Sequence, residues 1–207
     1  MSAGQGEVMN RNVGLTGGIA AGKSVVSEIL RGLGVAILDA DELSRDVMVP
    51  GGSVLAQVVQ AFGPHILDKA GCLDRRLVGE LVFTNSKLRK KLESIVHPAI
   101  FAEADMRMKR LHAEGHEFVV YEAALLIETG RHEQMDILIV VVAEDSVRAL
   151  RLSQRDGISL EKAQQRIKVQ LPQTEKVQLA DYVIDNSGTL EQTQASVQEL
   201  WSKIKKR

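Results

Sequence analysis

The residues with the clearest chemical meaning lie near the start of the chain, in the segment VGLTGGIAAGKS at residues 13–24. Gly17, Gly22, Lys23 and Ser24 match the pattern GxxxxGK[ST], which describes a loop whose backbone N–H groups surround a polyphosphate. In such a loop the lysine reaches the β- and γ-phosphates, and the serine hydroxyl binds Mg²⁺. The positive end of the following helix also favours an anion. The segment therefore predicts a polyphosphate site.

The flanking residues supply the elements that such a loop needs. Residues 12–16 form a short, mostly apolar run, which is typical of a buried strand. Residues 24–33 carry apolar side chains at helical spacing, and Gly34 ends the pattern. A glycine-rich turn that binds nothing is the alternative interpretation, and the order of strand, loop and helix argues against it.

Two acids follow the next apolar run, at residues 35–38. In an open parallel sheet, ligands bind beyond the carboxyl ends of the strands, where Asp39 and Asp41 would lie. The alternative is that Asp41 only caps a helix that begins at Glu42. Because two acids occur on the same side of the sheet as the phosphate loop, we expect a functional role for the pair.

Residues 53–115 have helical periodicity and no strand pattern, which predicts a helical insertion that covers a substrate. Within it we expect Ser53 to cap a helix and the His97–Pro98 pair to interrupt a longer one. His97 is a candidate ligand contact, with a local structural hydrogen bond as the alternative. Arg45, before the insertion, is a candidate for an anionic substrate, with a solvated surface charge as the alternative.

A third strand at residues 117–121 leads to Glu122, the one acid there and a candidate for orienting Mg²⁺ or water. A strongly β-branched run at residues 136–142 predicts a central parallel strand. Two helices rich in arginine follow, and Arg148, Arg151 and Arg155 share a face of the first. We interpret them as a lid that brings arginines onto a transferring phosphoryl group, rather than as a solvated basic surface.

The composition limits the class of protein. The chain has 207 residues, 44% hydrophobic content and a formal net charge of −1, so nothing indicates a broad nucleic-acid or membrane surface. Cys72 is the only cysteine, which excludes an internal disulfide and fits a reducing cytoplasm. Residues 1–11 are polar, which predicts either a loose tail or a true start later in the sequence. No apolar run is long enough to cross a membrane.

Five strands that alternate with helices predict an α/β fold: a five-stranded, parallel, doubly wound P-loop kinase core with a helical substrate-binding insertion and a helical lid. We expect a single domain over residues 1–207. Its predicted parts are a core of about residues 10–52, 116–144 and 173–207, an insertion of about 53–115 and a lid of about 145–172.

Several segments together resemble the dephospho-coenzyme A kinase family, over about residues 10–200. The combination is far more specific than the phosphate loop alone. The matching segments are residues 15–24, LDAD at 38–41 with Arg45 and PG at 50–51, LESIVHPAI at 92–100, LLIE at 125–128, Arg151 with QRDG at 154–157, Arg166, Gln170, and ADYVIDNSG at 180–188.

This resemblance implies transfer of the γ-phosphoryl group of ATP to the ribose 3′-hydroxyl of dephospho-coenzyme A, the final step of coenzyme A biosynthesis. It implies Mg²⁺ as cofactor, ATP and dephospho-coenzyme A as partners, and neither nucleic acid nor membrane. We expect a cytoplasmic monomer.

The resemblance also implies roles for individual residues. Asp41 would be the general base or would position the hydroxyl, Asp39 would support it, and Lys23 and Arg151 would stabilise the transferred group. Asp41, Arg45 and His97 would contact dephospho-coenzyme A. Ser24 would bind Mg²⁺, with Asp39 or Glu122 as possible further ligands. The implied ATP-binding residues are Gly18, Ile19, Ala20, Ala21, Gly22, Lys23, Ser24, Val25 and Arg155.

The sequence departs from the family pattern at three places. Ala20 and Ala21 replace a frequent Gly-Ser or Gly-Ala, and we expect little change because these positions mainly offer backbone N–H groups. Val25 replaces a common threonine and so lacks a hydroxyl for the α-phosphate. Residues 123–124 are Ala-Ala instead of Val-Pro, which removes no obvious chemical group.

Three other classes of protein share part of this pattern. A nucleoside-monophosphate kinase would share the loop and the lid, but not the Asp39 and Asp41 pair together with His97–Pro98. A regulatory GTP-binding protein would carry an NKxD segment near the fifth strand, where DNSG stands at residues 185–188. A nucleotide-binding module without catalysis would not need the two acids at the edge of the sheet.

Overall fold

The computed structural model describes residues 10–206 of the chain, without the side chains of residues 83 and 84. The predicted tail lies outside the described residues over positions 1–9. Residue contacts divide the chain into two compact units. The first reaches Ile37 and resumes at Leu111, and the second is Leu38–Arg110. The division into core, substrate insertion and lid stays a prediction.

The predicted five-stranded parallel sheet is confirmed. Its spatial order is β2-β3-β1-β4-β5, so β1 lies in the middle, with β3 and β4 as its neighbours. Most of β4 is buried, as its unbroken apolar sequence predicted. The strands are β1 (Arg11–Gly17), β2 (Ala36–Asp39), β3 (Phe118–Glu122), β4 (Ile137–Val142) and β5 (Tyr182–Asp185).

The α-helices of the described residues follow the predicted order, with one addition, α8, which was not predicted from the sequence. They are α1 (Lys23–Gly32), α2 (Ala40–Asp46), α3 (Ser53–Phe62), α4 (Arg75–Thr84), α5 (Ser86–Ala113), α6 (Asp145–Asp156), α7 (Leu160–Lys168), α8 (Gln173–Leu179) and α9 (Leu190–Ile204).

The hydrophobic core of the first unit forms between the sheet and helices α1 and α9. Trp201 of α9 is buried and meets the ring of Phe118 edge-on, with 5.3 Å between the ring centroids. Such an arrangement suits aromatic quadrupoles, and the burial of Trp201 makes it a packing residue of the core. Thr189 and Gln192 form a capping box that satisfies N–H groups at the start of α9. The predicted cap of α3 was wrong, because Gly52 holds that position and Ser53 is already helical.

Helix α8 was missed because its sequence has no apolar stripe. Its central residue, Lys176, is fully buried, which is rare for a lysine. The ammonium group lies 2.6 Å from Oε1 of Glu128, and Nζ also donates to the carbonyl of Ala124 at 3.4 Å. Such a partner is needed, because an unpaired buried charge would be strongly destabilising. An ion pair between residues far apart in sequence therefore fixes this short helix.

Helix α5 runs without a break from Ser86 to Ala113, so the predicted interruption at His97 and Pro98 was wrong. A proline inside a helix lacks the N–H that would bond the carbonyl four residues earlier. The helix is 28 residues long, and burial of its inner face compensates for one missing bond. The buried residues of α5 are Val96, Ile100, Ala104 and Met108.

We predict that Pro98→Ala raises the free energy of unfolding by about 2 kcal/mol. Pro98 is exposed, so its replacement loses little packing. A helix interior favours alanine over proline by ~3 kcal/mol. Alanine also makes the unfolded chain more flexible, which lowers the gain in stability by ~1 kcal/mol. Urea unfolding would measure the change. The neighbouring control Ala99→Gly should lower the free energy of unfolding by about 1 kcal/mol. A loss of stability in Pro98→Ala would contradict this account of the helix.

Candidate functional site

The phosphate loop connects β1 to α1 through a left-handed glycine. Gly22 is the N-cap of α1 and has φ of 92° and ψ of 33°, a conformation that side chains disfavour. A Cβ atom at Gly22 would also collide with the side-chain amide of Asn186. Both observations explain why the pattern requires glycine here. The N–H groups of Val25 and Val26 bond the Gly22 carbonyl, at 3.1 and 3.4 Å, and so begin the helix.

A tight turn occupies the middle of the loop. The N–H of Ala21 donates to the carbonyl of Gly18 at 3.0 Å, and Ala20 has φ of 59°. Among residues 10–206, Ala20 is the one non-glycine residue with positive φ. The left-handed conformation costs an alanine about 1–2 kcal/mol, a backbone strain that a glycine at position 20 would not carry. The expectation that the substitution changes phosphate binding little stays a prediction.

Lys23, the first residue of α1, folds its side chain back along the loop. Its Nζ donates to the carbonyl of Gly17 at 3.1 Å. Ser24 follows in the first turn of α1, where the N–H groups and the helix dipole favour an anion. The predicted phosphate residues from Gly18 to Val25 therefore form one continuous loop and helix start.

Asn186 holds the loop from the carboxyl end of β5, and sequence analysis missed it. The side chain is buried; its Nδ2 donates to the carbonyl of Ala21 at 2.9 Å, and its Oδ1 accepts from Thr193 at 2.8 Å. The signal was the segment at residues 180–188, which contributed to the family resemblance, but no role was assigned to Asn186 itself.

The three arginines predicted on one face of α6 have different surroundings. Arg148 is buried, pairs with Asp145 at 2.9 Å and donates through Nε to the carbonyl of Ile19 at 3.0 Å. Arg155 is 62% exposed and pairs with Asp156. Arg166 of α7 reaches the same carboxylate at 2.7 Å, and Arg155 and Arg166 together hold the pKa of Asp156 below its usual value.

Arg151 is partly buried, between the buried Arg148 and the exposed Arg155, and it lines a small cavity. Its Nη1 atom is buried, and no hydrogen-bond partner for it exists within the described part of the chain. The cavity has a volume of about 180 Å³, and Gly22 and Asn186 also line it. A buried guanidinium atom without a partner is costly, so it favours an anionic or carbonyl-bearing ligand at this place.

Glu122 ends β3 beside Leu15 of β1. Its Oε2 accepts a bond of 2.5 Å from the hydroxyl of Ser27, a buried residue of α1. This partner places the carboxylate against the helix that begins with the phosphate loop. Within residues 10–206, no three His, Cys, Asp or Glu residues lie close enough together to hold a metal ion by themselves.

In the second unit, Asp39 and Asp41 occupy the junction of β2 and α2. Asp39 is the N-cap, and its Oδ1 accepts from the backbone N–H of Asp41 at 2.7 Å. The alternative in which Asp41 caps a helix from Glu42 was therefore wrong, because the helix begins at Ala40. Asp41 lies in the first turn with an exposed side chain, which suits a group that acts on a substrate.

Two arginines donate hydrogen bonds to backbone carbonyls of helix α2. Arg45 donates through Nε to the carbonyl of Asp41 at 3.2 Å, and Arg75 of α4 donates to the carbonyl of Ser44 at 3.3 Å. Burial and the charge of Arg45 lower the pKa of Arg75, while Asp41 opposes this shift. Arg75 was not predicted from the sequence, because only the fold brings α4 to α2.

His97 lies in α5, half-buried against Phe101. The two rings stack with 5.8 Å between their centroids. Burial lowers the pKa of His97, against a smaller opposing effect from Glu93. The ring is therefore mainly neutral at pH 7, since the ordinary pKa of histidine is about 6.5.

The parallel sheet, the GxxxxGK[ST] loop between β1 and α1, and the arginine-bearing helices after β4 define a P-loop kinase. A family model described as dephospho-CoA kinase matches residues 11–192. The chain therefore belongs to the dephospho-CoA kinase family. No helix of residues 10–206 is long and apolar enough to span a membrane.

Individual relatives agree with the family model. The chain is 44% identical to the dephospho-CoA kinase of Geobacter sulfurreducens over 92% of this chain and 97% of the relative. It is 41% identical to that of Geobacillus kaustophilus, over 96% and 100%. The solved dephospho-CoA kinase of Campylobacter jejuni superimposes with a TM-score of 0.72 at 31% identity, over 96% of this chain and 98% of that one.

We predict that Ala20→Gly raises the free energy of unfolding by about 1 kcal/mol. Glycine removes the left-handed strain of ~1–2 kcal/mol and gives back up to ~1 kcal/mol through unfolded-chain entropy. The neighbouring control Ala21→Gly should instead lower it by about 1–2 kcal/mol, because Ala21 is fully buried and has no positive φ to relieve. Thermal or urea unfolding distinguishes the two, and destabilisation in both variants would contradict a strained Ala20.

Proposed function

We propose that this protein transfers the γ-phosphoryl group of ATP to the ribose 3′-hydroxyl of dephospho-coenzyme A, giving coenzyme A and ADP. Membership of the dephospho-CoA kinase family is the observation that carries the proposal. The phosphate loop, with its left-handed Gly22 and the start of α1, supports it as the ATP site.

In this proposal the residues from Gly18 to Val25 bind the ATP phosphates through the loop and the start of α1. Lys23 and Arg151 stabilise the transferred group, whose transition state spreads negative charge over its equatorial oxygens. Arg151 is suited to this role because its buried Nη1 lines a cavity next to Gly22. Arg155 would contact ATP as well. Its guanidinium would then either bind ATP and Asp156 together or break the ion pair with Asp156.

Asp41, Arg45 and His97 are proposed to bind dephospho-coenzyme A. A secondary ribose hydroxyl is a poor nucleophile, so a carboxylate that orients it and accepts its proton speeds the transfer. The exposed Asp41 fits this role, and Asp39 positions it by accepting its backbone N–H. Arg45, which donates to the Asp41 carbonyl, would place a positive charge beside an anionic substrate.

The first compact unit, which contains the phosphate loop, offers a hydroxyl and a carboxylate that suit Mg²⁺. Ser24 lies in the first turn of α1, and Glu122 presents a carboxylate held by Ser27 of the same helix. Mg²⁺ prefers oxygen ligands and usually keeps water and nucleotide phosphates around it, so few protein ligands are needed. We propose Ser24 as the protein ligand, with Asp39 or Glu122 in support. Bound there, the ion would neutralise charge on the phosphate oxygens. We also propose that the protein acts as a cytoplasmic monomer.

The purified protein with ATP and Mg²⁺ is expected to convert dephospho-coenzyme A to coenzyme A with stoichiometric release of ADP. AMP and UMP serve as control acceptors, because a nucleoside-monophosphate kinase would use them. Product identification by mass spectrometry would locate the new phosphate at the 3′-position. Turnover of AMP or UMP without turnover of dephospho-coenzyme A would refute the proposal.

Asp41→Asn should lower kcat by a hundredfold or more, because positioned general bases typically contribute ~10²–10⁴ in rate. The affinity for ATP, measured by calorimetry, should stay within about twofold of the wild type. Glu42→Gln is the matched control, since it removes the same charge from the next exposed residue and should leave kcat nearly unchanged. Equal losses in the two variants would mean that charge, rather than a specific carboxylate, matters at this helix.

A further inference from the structure

Two side chains from the segment after β4 form hydrogen bonds with the backbone N–H and carbonyl of one phosphate-loop residue, Ile19. The N–H of Ile19 donates to Oε1 of Gln170 at 2.7 Å, and the carbonyl of Ile19 accepts from Nε of Arg148 at 3.0 Å. Gln170 follows α7 and Arg148 belongs to α6. Both backbone polar groups of Ile19 are therefore held by side chains.

These contacts belong to a buried arrangement. The side chain of Arg148 is 4% exposed and its Nη1 pairs with Asp145 at 2.9 Å. A Cβ atom at Gly18 would collide with the Arg148 guanidinium, so the absence of a side chain there admits the arginine. Ile19 and Ala20 pack against a buried cluster of α6 and α7, whose members are Ala149, Leu152, Ala163 and Ile167.

The bonded residue controls the form of the turn. The N–H of Ala21 closes a β-turn onto the carbonyl of Gly18, and Ile19 and Ala20 are its central residues. A positive φ at Ala20 makes this a type II turn, whereas a type I turn would require a negative φ there. The two types differ by a flip of the central peptide, which carries the Ile19 carbonyl and the Ala20 N–H.

The bond from Arg148 fixes the direction of that central peptide. In a trans peptide the carbonyl and the N–H point to opposite sides. Since the Ile19 carbonyl points to Arg148, the Ala20 N–H points away from helix α6. A flip to the type I form would break this bond and would leave the buried guanidinium with one acceptor fewer.

We propose that Arg148 and Gln170 are positioning residues for the ATP site. They hold the turn in its type II form against the strain at Ala20, and so present the Ala20 N–H to the ATP phosphates, while the Ile19 N–H is reserved for Gln170. The inference rests on the proposed function only in taking ATP as the ligand of the loop.

Gln170→Met tests the inference, because methionine keeps the length of the side chain and removes the acceptor oxygen. The KM for ATP should rise about tenfold, in keeping with the loss of a buried hydrogen bond. The KM for dephospho-coenzyme A should change less than twofold. Hydrogen exchange of the Ile19 amide, followed by NMR, should become at least tenfold faster, since its acceptor is gone.

Three variants complete the test. Gln165→Met makes the same chemical change on the exposed side of α7 and should alter neither KM nor the exchange of Ile19. Gln170→Glu retains an acceptor oxygen and should restore protection of the Ile19 amide. Gly18→Ala, which displaces the Arg148 guanidinium, should raise the KM for ATP independently of Gln170.

The inference would be overturned if folded Gln170→Met bound ATP with wild-type affinity and its Ile19 amide exchanged at the wild-type rate. This holds even if the wild type phosphorylates dephospho-coenzyme A. If the wild type does not use that acceptor, the proposed function fails. ATP titration by calorimetry and the exchange of the Ile19 amide would then still decide the role of Gln170. Equal losses in Gln170→Met and Gln165→Met would also overturn it, since they would indicate a general effect on the helices.

Discussion

The structure depends on satisfying the carbonyl groups that the phosphate loop turns toward the protein. Because the N–H and the C=O of a peptide point in opposite directions, a loop that directs N–H groups at an anion must direct carbonyls into its surroundings. Buried carbonyls without donors would be costly. Three carbonyls of this loop have a side-chain donor: those of Gly17, Ile19 and Ala21, which accept from Lys23, Arg148 and Asn186 respectively.

The magnitudes explain how an alanine is tolerated in a left-handed position. The strain at Ala20 is about 1–2 kcal/mol. A neutral hydrogen bond contributes a net ~0.5–1.5 kcal/mol, and a bond from a charged group ~1.5–3 kcal/mol. The bonds from Arg148 and Gln170 to Ile19 together exceed the strain at its neighbour. The loop can therefore keep its conformation without a glycine at position 20, provided that those bonds remain.

Patterns that are local in sequence predicted the fold well. The strand before Gly17, the helix after Lys23 and the unbroken apolar run of β4 follow from spacing and side-chain type alone, and together they define the parallel sheet. The interruption at Pro98 was wrong because a local rule was outweighed by burial along a long helix. Helix α8 was missed because its buried residue is a charged lysine.

The supports of the loop could not be predicted, because their partners are distant in sequence. Arg148, Gln170 and Asn186 act on loop residues that precede them by 129, 151 and 165 positions. No spacing rule connects such pairs; each depends on a side chain that one element delivers to another. The arginine spacing in α6 did not reveal that Arg148 is buried against Ile19 while Arg155 is exposed.

The contacts between the two ends of the segment that contains α6 and α7 explain how Arg148 and Gln170 keep their positions beside the loop. The side-chain amide of Gln173 bonds both backbone groups of Ala143, at 3.1 Å to its N–H and 2.9 Å to its carbonyl, as a neighbouring strand would. The segment between Ala143 and Gln173 is thereby closed at its base, and the buried ion pair of Lys176 and Glu128 anchors the helix that follows. Within the segment, α6 and α7 pack against each other through the buried cluster of Ala149, Leu152, Ala163 and Ile167. The side chains of the segment can therefore determine the conformation of the loop, although the loop itself carries a strained residue.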